Sequence, residues 1–309
     1  MATRFSILKN HWEKNSVLNE QGKIGTNASL GKDVGGLFLL LDWETKKILK
    51  TIDLKNPMGV GFDGKFFYVA CLVEDNLSVI NKDLEEVRRI KNSFFNVPHS
   101  VEIDDDKILI ANTGLDEAVI IDKMGDQIAY WSAIENGYDT DQFGKQRTID
   151  RRKLQNDITY PTLTQTTHLN YFNKINEYYY ITLFHQGVIL RSLDNTKYEV
   201  VFSGLNHPHA IRKSSNGFIV SDTKNNRILL LDESVKLIET IDLQLSWVQD
   251  VFETKHRTYL ITDSNNSRVV EISRSKEILS EWFVPPEWRL FQAIELPPDF
   301  NSHESKATN

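Results

Sequence analysis

The stretch that decides the fold is Gly217-Phe-Ile-Val-Ser-Asp222-Thr-Lys-Asn-Asn-Arg227-Ile-Leu-Leu-Leu-Asp232. Its plan returns in Thr258-Tyr-Leu-Ile-Thr-Asp263-Ser-Asn-Asn-Ser-Arg268-Val-Val-Glu-Ile272. Each copy is a short apolar run ending in Asp, a polar loop, an Arg and a second apolar run. Runs of this length, rich in β-branched and aromatic residues and bounded by Asp, Asn, Gly and Lys, read as strands. A further short strand opens each unit, at His209-Ala-Ile-Arg212 and at Gln249-Asp-Val-Phe252. A third unit is His99-Ser-Val-Glu-Ile103, Ile108-Leu-Ile-Ala-Asn112 and Ala118-Val-Ile-Ile-Asp122. No long stretch has helical 3.6-residue spacing.

Aligning the opening strands on their polar residues places Met58, His99, His168, His209, Gln249 and Gln292 in one column, at intervals of 41, 69, 41, 40 and 43 residues. Four intervals match a four-stranded propeller blade of about 40–45 residues, and the long one is a blade plus about 28 inserted residues. The strand at 291–296 has no partners after it, and the strands at 37–42 and 46–52 have no opening strand before them. The expected fold is therefore an all-β, six-bladed β-propeller whose last blade is closed by N- and C-terminal strands together, which leaves no long exposed sheet edge. Residues 1–309 read as one domain. Residues 1–20 read as irregular, 297–309 as a disordered tail, and the insertion at 134–166 as a lid or binding loop.

Composition narrows the function. The apolar fraction is 40% and the charged fraction 26%, ordinary for a globular chain, and the net charge of -7 argues against an electrostatic nucleic-acid binder. Cys71 is the single cysteine, so an internal disulfide and a Cys-rich zinc site are excluded. The N-terminal residues lack the apolar run of a secretory signal, and no run approaches about 18 apolar residues. A cytoplasmic protein with no membrane or nucleic-acid partner is expected. Nothing bears on oligomeric state.

In a propeller the opening strands line the central channel, so one aligned column forms a ring. The ring reads Met, His, His, His, Gln, Gln. Three histidines in one of some 40 columns arise by chance at roughly 1%, so the column reads as selected; the alternative is that these rings hydrogen-bond buried water or neighbouring blades. Three neutral imidazoles with an open position suit Zn²⁺ or Fe²⁺, so His99, His168 and His209 are the candidate metal ligands. Gln249 and Gln292 are expected to hydrogen-bond a small-molecule substrate or water, Asn170 to line the channel one step deeper, and Met58 to form an apolar wall. His185 is expected as a fourth imidazole at the channel mouth. Arg147 and Arg151 of the insertion are expected to meet an anionic substrate, with a solvated surface helix at 148–155 as the alternative. Strand alternation places Glu102, Arg212 and Glu295 on the side away from the ring. Asp222 and Asp263 are expected to fix turns, and Arg227 and Arg268 to pair with such carboxylates between blades. His207 reads as a surface residue.

The stretch Val220-Ser-Asp-Thr-Lys-Asn-Asn-Arg-Ile-Leu-Leu-Leu-Asp232 resembles an NHL repeat. That family includes peptidyl-α-hydroxyglycine lyases, whose six-bladed propeller carries a zinc held by three histidines, so the resemblance implies that a three-histidine metal is feasible in such a channel. His168-Leu169-Asn170, Phe184-His185-Gln186 and His209-Ala210…Asp222 are similar to elements of arylsulfotransferase-like propellers, with Phe184 where that family has an arginine. This second resemblance implies metal-free group transfer on a histidine. The leading expectation is a metal-dependent lyase, hydrolase or oxygen-dependent enzyme acting on a small polar substrate. The alternatives are sulfotransferase-type chemistry and a non-catalytic propeller that binds a peptide or protein.

Overall fold

The computed structural model describes residues 2–9, 35–72, 74–151, 160, 162–286 and 288–301. These residues form six four-stranded antiparallel sheets. Strands β1 (Ala2–Lys9), β2 (Gly36–Asp42) and β3 (Lys47–Leu54) belong to the sheet that closes the ring. Blade one is β4 (Pro57–Phe62), β5 (Phe67–Cys71), β6 (Asn76–Ile80) and β7 (Glu86–Lys91). Blade two is β8 (Pro98–Asp104), β9 (Lys107–Asn112), β10 (Glu117–Asp122) and β11 (Gln127–Ser132). Blade three is β12 (Leu169–Ile175), β13 (Tyr178–Leu183), β14 (Val188–Ser192) and β15 (Glu199–Ser203). Blade four is β16 (Ile211–Ser214), β17 (Gly217–Asp222), β18 (Arg227–Leu231) and β19 (Leu237–Ile241). Blade five is β20 (Val248–Glu253), β21 (Tyr259–Asp263), β22 (Arg268–Ile272) and β23 (Ile278–Phe283). The last strand, β24 (Trp288–Glu295), is innermost in blade six, in the order β24-β1-β2-β3.

The protein is thus a six-bladed propeller closed by strands from both ends. The closing blade differs from expectation in one respect. Residues 2–9 form its second strand, paired with β24 from Thr3–Glu295 to Lys9–Trp288 and with β2 from Ala2–Asp42 to Ile7–Leu37. Arg4-Phe5-Ser6-Ile7-Leu8 has the residue types of a strand, but with no turn beside it the segment lacked the repeat's punctuation. The start of the expected tail is also ordered: residues 298–301 make a 3-10 turn that seats Phe300 against Phe62 and Phe67, at ring-centroid distances of 5.9 and 6.0 Å. The rest of that tail lies outside the described residues.

Six apolar clusters hold the wheel together, one in each seam between neighbouring blades. Ile219 and Ile228 of blade four meet Val251 and Ile261 of blade five, for example, and Phe38 and Leu40 of blade six meet Phe67 and Val69 of blade one. Burying each such side chain contributes about 1.5–3 kcal/mol, so the seams are the core.

Polar clamps align the seams. The residue two places before the ring has a left-handed φ of 48–58° at Asn56, Val97, His168, His207 and Trp247. The turn between a blade's second and third strands has a second left-handed residue, at Asp75, Asp116, Asn226, Ser267 and Gly187. Asp75 Oδ1 accepts the Val97 N–H of the next blade at 2.6 Å, and Asn226 Oδ1 accepts the Trp247 N–H at 2.8 Å. Hydroxyls repeat the device: Thr113 donates to the Leu169 carbonyl at 2.6 Å, Thr223 to Val248 at 2.6 Å, and Ser264 to Leu290.

Asp222 and Asp263 do fix backbone, accepting the N–H of Asn206 and of Ser246, each at 2.7 Å. Their arginines pair with them inside one blade rather than between blades: Arg227 Nε lies 2.6 Å from Asp222 and Arg268 Nε 2.7 Å from Asp263.

Candidate functional site in the central channel

The clamps set the true register of the channel. Leu169, Val248 and Leu290 are equivalent because each receives the same hydroxyl. The residue after each of them is the ring, which reads Met58, His99, Asn170, His209, Gln249 and Phe291. His168 is not in it. It stands two residues earlier, in the left-handed layer above the ring, beside Val97, His207 and Trp247. Gln292 falls one residue past the ring. The insertion before His168 left only matching letters to align on, and they matched at the wrong offset.

Five of the six opening strands have an extra residue, and in blade four Ser221 bonds both His209 and Ala210 in the same two-to-one way. Pro98 faces Asn112 while Val101 faces Ile110, and Leu169 faces Leu183 while Tyr171 faces Thr182. β4, β20 and β24 shift register in the same place. Such a bulge suspends strict alternation, so the ring residue and its successor both face the channel. A pocket of ≈ 340 Å³ is lined by both members of all six pairs, together with Arg212. The bulge also overturns the outward placement of Glu102 and Arg212. Arg212 holds Asp250 through Nε and Nη2 at 2.9 and 3.1 Å and Glu102 through Nη1 at 3.0 Å, and Tyr171 donates to Glu102. Burial pushes the Glu102 and Asp250 carboxyls up, against the pull of Arg212, while the two carboxylates hold Arg212 charged. This group joins four blades at the pocket floor. Glu295 instead accepts the Lys255 N–H.

Hydrogen bonds fix the histidine tautomers. His99 Nδ1 lies 3.0 Å from the Val97 carbonyl, which can only accept, so Nδ1 carries the proton. His209 Nδ1 lies 2.7 Å from Thr223 Oγ1, whose own hydrogen goes to Val248, so this Nδ1 is a donor too. His168 Nδ1 donates to Gln165 Oε1, whose amide nitrogen is spent on the Tyr160 carbonyl. In all three rings Nε2 is left with the lone pair. Burial pushes His99 down to about 4 and His168 and His209 well below the usual histidine range. All three are neutral at pH 7.

The rings form one aromatic cluster on two levels. His99 and His168 meet edge to face at 4.8 Å. Phe184 is the hub, with His207, His168, His209 and His185 at 4.4, 4.7, 5.4 and 5.5 Å. His207 is therefore part of the cluster, a half-buried residue packed on Phe184. His185 donates Nε2–H to the Thr162 carbonyl at 3.2 Å and lies outside the pocket lining. Among the described residues no three His, Cys, Asp or Glu side chains are grouped to hold a metal ion. His168 sits a layer above His99 and His209, with its ring centroid 4.8 Å from that of His99.

No family model matches the chain, and no curated protein matches it. Solved structures do. The nidogen/laminin complex matches with a TM-score of 0.62 at 13% identity, over 95% of this chain and 97% of that one. A protein of unknown function from Bacteroides caccae matches with a TM-score of 0.61 at 13% identity, over 83% and 93%. A catalytically inactive histidine-to-alanine variant of virginiamycin B lyase from Staphylococcus aureus, with quinupristin, matches at 0.53 and 15%, over 74% and 70%. The shared property is the propeller fold.

The described part of the insertion is tied to the rim and does not line the pocket. Arg147 pairs with the buried Asp116 at 2.5 Å and stacks over Tyr160, and Arg151 pairs with Glu117 at 2.9 Å and covers Tyr130. Asp116 also accepts the backbone N–H of Thr166 and of Thr167. Neither arginine lines the pocket, so the expected substrate role gives way to anchoring. Of the expected helix at 148–155, residues 152–155 lie outside the described residues. No helix among the described residues is long and apolar enough to cross a membrane.

Arg289 went unnoticed in the sequence. It occupies the level of His168 and Trp247, over the rings of Trp247 and Phe291 at 5.7 and 5.6 Å, and its charge disfavours protonation of His99 and His209. One sequence signal for the true register was available: Pro57, Pro98 and Pro208 each stand one place before a ring residue.

Proposed function

We propose that the protein is an enzyme that moves protons on a small polar substrate held in the channel pocket, with His99 and His209 as the proton-accepting bases of a lyase-type reaction. The observation that carries this reading is the fixed tautomer: both rings line the pocket, and both have Nδ1–H anchored so that Nε2 is the basic atom. An imidazole oriented by an acceptor on its far nitrogen is a general base ready for use, and its anchor stabilises the imidazolium once formed. One ring would take a proton from the substrate at Nε2 and, now an imidazolium, return that proton to the leaving group. The inactive histidine variant of the neighbouring lyase supports histidine chemistry on this fold. Phe184 beside His209 offers no cation to a transferring sulfuryl group, which disfavours the sulfotransferase alternative.

The test incubates wild type and the H99Q/H209Q double variant with a small-molecule extract and follows consumption by mass spectrometry. A compound consumed by wild type and turned over at least about 100-fold more slowly by the double variant is expected. Equal consumption by the two proteins, or none by wild type, overturns the proposal. Running it after chelation, and with Zn²⁺ or Fe²⁺ added back, reads any metal requirement at the same time.

A further inference from the structure

We infer that the pocket selects a small carboxylate bearing a hydroxyl or amino group, with the carboxylate held by blades five and six. This rests on the pocket being a substrate site. The side-chain amides show which end of a ligand goes where, because each has one polar atom committed to a partner of known type. Gln249 Oε1 accepts the Trp247 indole N–H at 2.9 Å. An indole nitrogen can only donate, so the atom facing it is the oxygen and Gln249 presents its NH₂. Gln292 Oε1 accepts the Val60 backbone N–H at 2.8 Å, which fixes that amide in the same sense. Its Nε2 is buried with no acceptor among the described residues, although the residue lines the pocket and is 6% exposed. Asn170 is turned the other way: Nδ2 donates to the Pro208 carbonyl at 3.3 Å and Oδ1 remains to accept.

The pocket is therefore divided. Blades five and six present N–H donors, from Gln249 and Gln292, and the Arg289 guanidinium lies beyond the pocket lining, over the Trp247 and Phe291 rings. Blades two, three and four present lone pairs, from His99 Nε2, Asn170 Oδ1 and His209 Nε2. A carboxylate matches the first half, since it only accepts and bears the charge that a buried guanidinium favours. Burial pushes Arg289 down to about 10. A hydroxyl or amino group matches the second half by donating. The floor does not compete for the anion, because the Arg212 guanidinium is engaged by Asp250 and Glu102. One guanidinium and two amides suit a single planar anion better than a phosphate dianion.

Calorimetry with malate, succinate and malamide tests this, together with the NH₂ resonances of Gln249 and Gln292. Malate is expected to bind at least about 10-fold more tightly than malamide, which lacks the carboxylates, or succinate, which lacks the hydroxyl. It should also shift both NH₂ pairs. In Q292E the acceptor for Val60 is kept and the donor lost, so malate affinity should fall at least about 10-fold with the melting temperature unchanged; R289Q should lose a similar factor. Equal affinity for malate and malamide, unshifted NH₂ resonances, wild-type affinity in both variants, or no malate binding at about 10 mM would overturn the inference. The two proposals fail separately. Turnover that survives in H99Q/H209Q removes the acid–base roles and leaves carboxylate recognition intact, whereas a consumed substrate without a carboxylate does the reverse.

Discussion

Asp75 shows how one residue can hold a seam and still be under strain. It is 5% exposed, its Oδ1 accepts the Val97 N–H, and burial pushes its carboxyl up to about 7. A carboxyl whose folded pKa is raised contributes most at low pH, and that contribution is lost as pH climbs towards the folded value. Asn226 already does the same job with a neutral amide. D75N should therefore unfold at nearly the wild-type urea concentration at pH 4 and below. Its advantage should grow by at most about 1.4 kcal/mol per pH unit up to pH 7 and level off above. An advantage that does not change with pH would show that the carboxyl titrates normally. The residue scale is also where sequence reading was weakest. A histidine at 168 was visible, but its layer was not, because that depends on a left-handed φ and a hydroxyl clamp that leave no mark in a string of letters.

At the scale of elements, strands and turns were legible because β-branched runs and Asp/Asn turns announce themselves. The bulge at the head of the opening strands was not legible. It adds one residue without changing residue type, and it turned Glu102 and Arg212 from the outside to the channel. Gly187 is another element-level device. It has φ 65°, it accepts the Leu205 N–H from the next seam at 3.0 Å, and a Cβ there would lie 2.1 Å from the Leu205 carbonyl oxygen. G187A should cost about 2–4 kcal/mol in urea unfolding. G64A, with φ 91° but nothing within 4 Å, should cost only about 1 kcal/mol. Equal costs would mean that backbone conformation alone, and not the close approach, demands glycine at 187.

For the whole molecule, the repeat interval was enough to give blade count and closure, since a 40-residue period with incomplete ends has one natural solution. What it could not give was the identity of the second closing strand. β1 pairs on both sides, so removing residues 2–9 would bare β24 and β2 at once. The deletion should lose its cooperative melt and elute as aggregate on gel filtration. A monomer melting at the wild-type temperature would show that closure does not depend on this strand.

Thr223 has a further consequence. Its oxygen receives the proton of His209, and its own hydrogen spans the gap to Val248. The orientation of the proposed base is thus wired to the spacing of two wedges of the wheel. Should that gap widen by even one hydrogen-bond length, the imidazole would be free to swap its protonated nitrogen while the strands stayed intact. Warmed gradually, such a wheel would forget its chemistry before it lost its shape.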